Sequence, residues 1–121
     1  MKKLFVSILF AIDGLRYAFT SEKNFKIELS VALIVICMGL LLSFSYAEWL
    51  IVLLNIGAVL SAEIFNTAIE KACDFVADSL HPLIKIIKDT AAGAVLVTGI
   101  IAAICGVLIF GKHIIILFQT V

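Results

Sequence analysis

Trp49-Leu-Ile-Val-Leu-Leu-Asn-Ile-Gly-Ala-Val-Leu-Ser-Ala62 carries no charge and runs straight into Glu63-Ile64-Phe65-Asn66-Thr67-Ala68-Ile69-Glu70. The first part reads as a membrane-embedded helix. The second places two carboxylates and a carboxamide at its end. At about 100° per residue, Glu63, Asn66, Glu70 and Asp74 fall on one narrow stripe of that helix. Three acids and an amide are costly to hold beside lipid, and ionisable groups at such depth mark a functional site by default. The bland alternative is a helix end that emerges into water with a solvated polar face. We read one helix from Ala47 to about Asp78, with its last turns leaving the membrane.

Composition supports the membrane reading. The chain has 121 residues, is 64% hydrophobic and has a mean hydropathy of +1.23. A soluble domain is roughly 45–50% apolar, and so short a chain cannot hide the excess in one water-facing globule. Nine basic and nine acidic residues leave zero net charge, which argues against a nucleic-acid partner. A single proline, Pro82, and seven glycines permit long helices. Cys37, Cys73 and Cys105 are far apart and form no C-x-x-C pair, so we expect packing residues rather than a disulfide or metal site. Met1-Lys2-Lys3 and the apolar Leu4–Ile12 resemble the start of a signal peptide. Asp13, Arg16, Glu22 and Lys23 follow, however, with no small-x-small cleavage site, so no cleavable leader is expected.

The predicted fold class is all-α and integral to the membrane, a single domain over 1–121. A surface helix covers about 1–21, and three spans cover about 27–46, 48–77 and 83–112. Leu4, Phe5, Ile8, Ile12, Leu15 and Phe19 recur at helical spacing between Lys2, Lys3, Asp13 and Arg16, the pattern of an interfacial amphipathic helix. Ser21-Glu22-Lys23-Asn24 is the expected break. Leu29 to Ala47 is nineteen residues without a charge, enough to cross a hydrocarbon core of about 30 Å. A turn near Ser43–Trp49 sets Tyr46 and Trp49 at the interface. Ser79-Leu80-His81-Pro82 is the second break, with Pro82 suited to start a helix. Thr90 to Gly111 is again uncharged and rich in small residues, among them Ala92, Gly93, Gly99, Ala103 and Gly106. These would allow close helix approach within or between subunits. Lys2, Lys3, Arg16, Lys23 and Lys26 precede the first span, and Lys71, Lys85 and Lys88 lie between the second and third. Only Lys112 flanks the other side. The positive-inside rule therefore places the N-terminus and the 63–89 region in the cytoplasm. Lys112 and His113 read as an outer-face anchor.

Glu22, the Glu63–Asp74 stripe and Lys88-Asp89 then share one membrane face. Paired carboxylates there suit Mg²⁺ between protein acids and substrate phosphates, and a carboxylate can take a proton from an attacking hydroxyl. Lys88 could neutralise a phosphate. Residue types alone leave phosphoryl chemistry and cation exchange both open. There is no P-loop and no Gly-rich protein-kinase loop.

A resemblance narrows this choice. Glu63-Ile-Phe-Asn66-Thr-Ala-Ile-Glu70, then Asp74, His81 and Lys88-Asp89-Thr90-Ala91-Ala92-Gly93-Ala94-Val95, resembles the bacterial membrane diacylglycerol kinase family, which includes undecaprenol kinases. Ala11-Ile-Asp-Gly14-Leu15, Ala18-Phe19 and Glu22-Lys-Asn24-Phe25-Lys-Ile-Glu28 match as well, so the likeness covers nearly the whole chain. It implies a three-span homotrimer in the bacterial cytoplasmic membrane that phosphorylates a lipid alcohol with ATP and Mg²⁺. Carried over by position, Glu63 resembles the catalytic base, and Glu22 and Glu70 the metal-binding acids near the nucleotide. Asn66, Lys88 and Asp89 match active-site polar residues, the last two on the nucleotide. Glu28 and His81 match positions near the site. Read singly, Asp74 fits a solvated helix-face acid, His81 an interfacial or capping residue rather than a metal ligand, and Glu22 a helix terminator.

Two rival classes stand beside the kinase. A proton-coupled transporter would need its acid near the bilayer midplane, whereas these acids cluster at one end. An assembly or pore-forming protein has no use for them. Between the two lipid alcohols, the stretch His81-Pro-Leu-Ile-Lys85-Ile-Ile-Lys88-Asp89-Thr-Ala-Ala-Gly-Ala-Val looks more like undecaprenol kinases.

Overall fold

The computed structural model describes residues 1–77 and 81–120; the expected break at 79–80 and the expected helix end at Asp78 lie outside them. Four helices follow one another: α1 (Lys2–Ser21), α2 (Lys23–Leu41), α3 (Tyr46–Val76) and α4 (Pro82–Gln119). All four are long and apolar enough to cross a membrane by length and composition, α1 included. The architecture is all-helical among the described residues, and hydropathy alone does not limit the spans to three.

The junctions are tighter than the sequence suggests. Glu22 alone separates α1 from α2, in extended backbone at φ −106° and ψ 114°. Between α2 and α3 the chain turns through Ser43, whose φ of 54° ends α2 at Leu41 rather than near 46. The Phe44 amide then bonds back to the Gly39 carbonyl at 3.0 Å. Ser45 starts α3 with a capping box: its hydroxyl accepts from the Glu48 amide at 3.3 Å, and the Glu48 carboxylate accepts from the Ser45 amide at 2.8 Å. At 38 residues, α4 continues past 112 to Gln119. At 1.5 Å per residue that is about 57 Å, well beyond a hydrocarbon core of about 30 Å.

Helices α3 and α4 form the main packing pair, α2 lies against α3, and α1 touches α2 and α3 only lightly. The hydrophobic cluster of Phe44, Val52 and Ile109, with Val35, Trp49 and Phe110 around it, sits toward the α2–α3 turn. Phe44 is its hub, packed on Trp49, Phe110 and His113 at centroid distances of 5.6, 5.5 and 5.2 Å. Glu48 anchors this end further, accepting from Lys112 Nζ at 3.0 Å and lying 3.2 Å from His113 Nε2. Lys112 and His113 thus tie α4 to the start of α3. Most large apolar side chains on all four helices remain exposed, as suits surfaces solvated by lipid or by neighbouring helices rather than water.

Within the chain, the close approach is at Gly39. A Cβ on Gly39 would lie 2.8 Å from Phe44 and 2.9 Å from Trp49, whereas one on Gly93, Gly99 or Gly106 would meet nothing within 4 Å. The α4 glycines therefore do not serve packing within the chain. Gly39→Ala is expected to cost about 1–3 kcal/mol through overpacking. Thermal unfolding in detergent should show it as a lowered midpoint, with turnover below that midpoint retained.

Candidate active site

At the other end of α3, the stripe predicted from spacing is formed. Glu63 and Asn66 are buried, only 3% and 8% exposed, and Glu70 is half-buried one turn on. The Asn66 amide donates to Glu70 Oε1 at 3.3 Å. Its own Oδ1 is buried with no partner among the described residues, so one acceptor of this side chain is left open. Glu22 reaches the same region from the α1–α2 junction, and Glu28 from the second turn of α2. Glu70 and Glu22 lie close enough for their charges to act on Glu63, and Glu63 close enough to act on Glu28. One oxygen of Glu28, Oε2, is likewise buried without a partner.

Four carboxylates thus converge from three elements. Among the described residues, no cation comes within ion-pair distance of Glu28, Glu63 or Glu70. Burying uncompensated charge is expensive, which points to a site awaiting a positive partner. Also among the described residues, no three His, Cys, Asp or Glu side chains converge closely enough to enclose a metal by themselves. The donor set is nonetheless one of hard oxygens, with an orphaned amide oxygen beside it. That fits Mg²⁺, which takes one or two carboxylates and completes its shell with water and substrate phosphates.

The remaining predicted residues divide. Lys88 projects from α4 to pair with Asp74 on α3, close enough for Glu70 to act on it as well. Asp74 is half-exposed and is the counter-ion of Lys88. Asp89 turns away, pairing with Lys85 one turn back on its own helix. His81 is the N-cap of α4, its Nδ1 accepting from the Leu83 amide at 3.2 Å. Two features of the sequence went unread. Lys71 lies 3.9 Å from Glu22, although it counts in the sequence only as a topogenic charge. Glu48, tied to Lys112 and His113, falls within the expected turn and carries no reading of its own.

A family model described as prokaryotic diacylglycerol kinase matches residues 9–110. The chain belongs to this family. It is a lipid kinase and a protein of the bacterial membrane, all-helical among the described residues, and membership of a kinase family implies ATP as co-substrate. The undecaprenol kinase of Bacillus subtilis (strain 168) is 41% identical over 110 residues, 91% of this chain and 89% of that one. A diacylglycerol kinase of Helicobacter pylori (strain ATCC 700392 / 26695) is 33% identical over 117 residues, covering 97% and 88% of the two chains. The diacylglycerol kinase of Escherichia coli (strain K12) is 28% identical over 100 residues, 83% and 82% of each. This lipid kinase carries its convergent acids between α1–α2 and α3, within the matched segment.

Proposed function

We propose that the kinase phosphorylates undecaprenol, with diacylglycerol the alternative alcohol, and that Glu63 is the general base. The single observation that carries the site is the burial of Glu63 near three other carboxylates with no cation of its own among the described residues. A lipid hydroxyl presented there gives its proton to a Glu63 oxygen as its own oxygen attacks the γ-phosphorus of ATP. The new O–P bond forms as the bond to the β-phosphate oxygen breaks, and ADP leaves. Such a transfer depends mainly on positioning and charge neutralisation. Glu22 and Glu70 are the residues to hold Mg²⁺, which supplies charge neutralisation at the phosphate oxygens when bound. Asn66 orients Glu70, and Lys88, steered by Asp74, faces the nucleotide.

The lipid tail enters from the bilayer between helices. A cleft of about 400 Å³ between α2, α3 and α4 suits it, running from Glu28 past Asn55 and the open faces of Gly99 and Gly106 to Phe110. Its lining is apolar apart from Glu28 and Asn55, so the tail would lie in hydrocarbon-like surroundings with its hydroxyl toward the acids. The distribution of basic residues supports a cytoplasmic N-terminus and site, with α1 lying on that surface and α2, α3 and α4 spanning. One chain buries little of its apolar surface, and we propose that the whole 1–121 unit works as a homotrimer. Asp89 and His81, exposed on α4, would then face a neighbouring subunit or the nucleotide.

Substrate identity is tested by turnover of undecaprenol and diacylglycerol side by side in the same mixed micelles. The expected result is a higher kcat/KM for undecaprenol; a preference for diacylglycerol would overturn that assignment alone. For the nucleotide, Lys88→Ala is expected to raise KM for ATP roughly tenfold while moving KM for lipid little, the scale of losing a charged hydrogen bond. A response confined to lipid KM would refute the role of Lys88.

A further inference from the structure

We propose that Lys71 is a positioning residue that holds the Glu22 carboxylate against the acid face of α3, ready for a divalent cation. The inference rests on the reading of Glu22 as a metal-binding acid and adds what keeps that acid in place. Glu22 is poorly placed by its own backbone. It is the one residue between two helices, in extended conformation, and α1 seats on α3 only lightly. The two helices line an open pocket there, with Ala11, Gly14 and Ala18 on one side and Thr67, Ala68 and Lys71 on the other. A Cβ on Gly14 would meet nothing within 4 Å, so shape alone does not lock the junction. Glu22 also faces the like charge of Glu63, which pushes the junction away from α3.

Lys71 opposes that repulsion. It follows Glu70 directly, and at about 100° per residue it lies on the neighbouring face of α3 with Ile64, Thr67 and Ala68, toward α1. Its Nζ is 3.9 Å from Glu22 Oε1. That is an ion-pair distance but beyond hydrogen-bond length, so the attraction holds the carboxylate without occupying its lone pairs. The pair is asymmetric: the Glu22 side chain is 21% exposed and that of Lys71 51%. The acid is drawn inward and the cation stays at the edge. Asp74 and the Tyr17 phenol are the other polar groups acting on Lys71. One turn of α3 thus supplies an acid to the site through Glu70 and the cation that retains the opposing acid through Lys71.

The test is Mn²⁺ binding to the full-length protein in detergent without substrates, read by electron paramagnetic resonance and expected to weaken about two- to five-fold in Lys71→Met, together with the Mg²⁺ titration of lipid kinase activity. Lys71→Met keeps the length of the side chain and removes its charge. The expected result is a two- to five-fold rise in the Mg²⁺ needed for half-maximal rate, about the scale of a partly exposed ion pair. Saturating kcat should fall less than that, and Lys71→Arg should restore the wild-type titration. In a Glu22→Gln background, Lys71→Met should add nothing, because the two residues act as one unit. An unchanged titration in Lys71→Met overturns the inference. So does a lowered Mg²⁺ requirement, which would make Lys71 a competitor of the cation rather than a support for the acid. Additive effects of the two substitutions overturn it as well. Glu22→Gln alone separates this failure from failure of the metal reading: a shifted titration there keeps Glu22 as a ligand even if Lys71 proves silent.

Discussion

Glu63→Gln should reduce kcat by about 10²–10⁴-fold, the usual contribution of a positioned general base. The amide matches the carboxylate in shape but cannot take the proton of the lipid hydroxyl. Glu63 is buried, and no hydrogen bond to it is among the side-chain contacts that hold the helices together. Its substitution removes a charge facing three other acids, so the variant should fold at least as well as wild type. That separates chemistry from stability. Helix content and thermal midpoint measured on the same preparation should be unchanged or raised while turnover collapses. A variant with half of the wild-type kcat would show that Glu63 is not the base.

The second large effect is expected at the proposed metal acids. Glu70→Ala should raise the Mg²⁺ needed for half-maximal rate by roughly 10–100-fold, the range seen when supports of a metal site are lost. Glu22→Ala should act in the same direction. Glu70 should show the larger change, because it also takes the Asn66 amide, and its loss frees both polar ends of a buried side chain. Activity measured across a Mg²⁺ series at saturating ATP and lipid reads this directly. Identical titrations for wild type and both variants would refute the metal role of these acids.

The stripe itself was legible because its order is local. Glu63, Asn66, Glu70 and Asp74 are spaced by three and four residues, so a helix of any context aligns them. The capping role of His81 was legible for the same reason, since a residue before proline at a helix start has few other uses. What the sequence could not show are pairings between helices. Glu48 meets Lys112 and His113 across 64 and 65 positions, and Lys71 meets Glu22 across a junction whose sharpness rests on one extended residue. Adjacent residues also diverge on a helix: Lys88 faces α3 and Asp89 does not, although the motif reads them as one unit. The glycines of α4 left their partner open for a related reason. Small size permits close packing but does not say with what, and within this chain their faces stay open. The close approach is at Gly39, where the φ of Ser43 folds Phe44 back onto α2.

Transfer of labelled γ-phosphate from ATP to a lipid alcohol by the purified chain in mixed micelles tests the central claim most directly. The account predicts label in the lipid fraction as a phosphate monoester, lost on chelation of Mg²⁺ and lost in Glu63→Gln with the fold intact. Label that reaches the lipid equally well in Glu63→Gln, or without divalent cation, would contradict it.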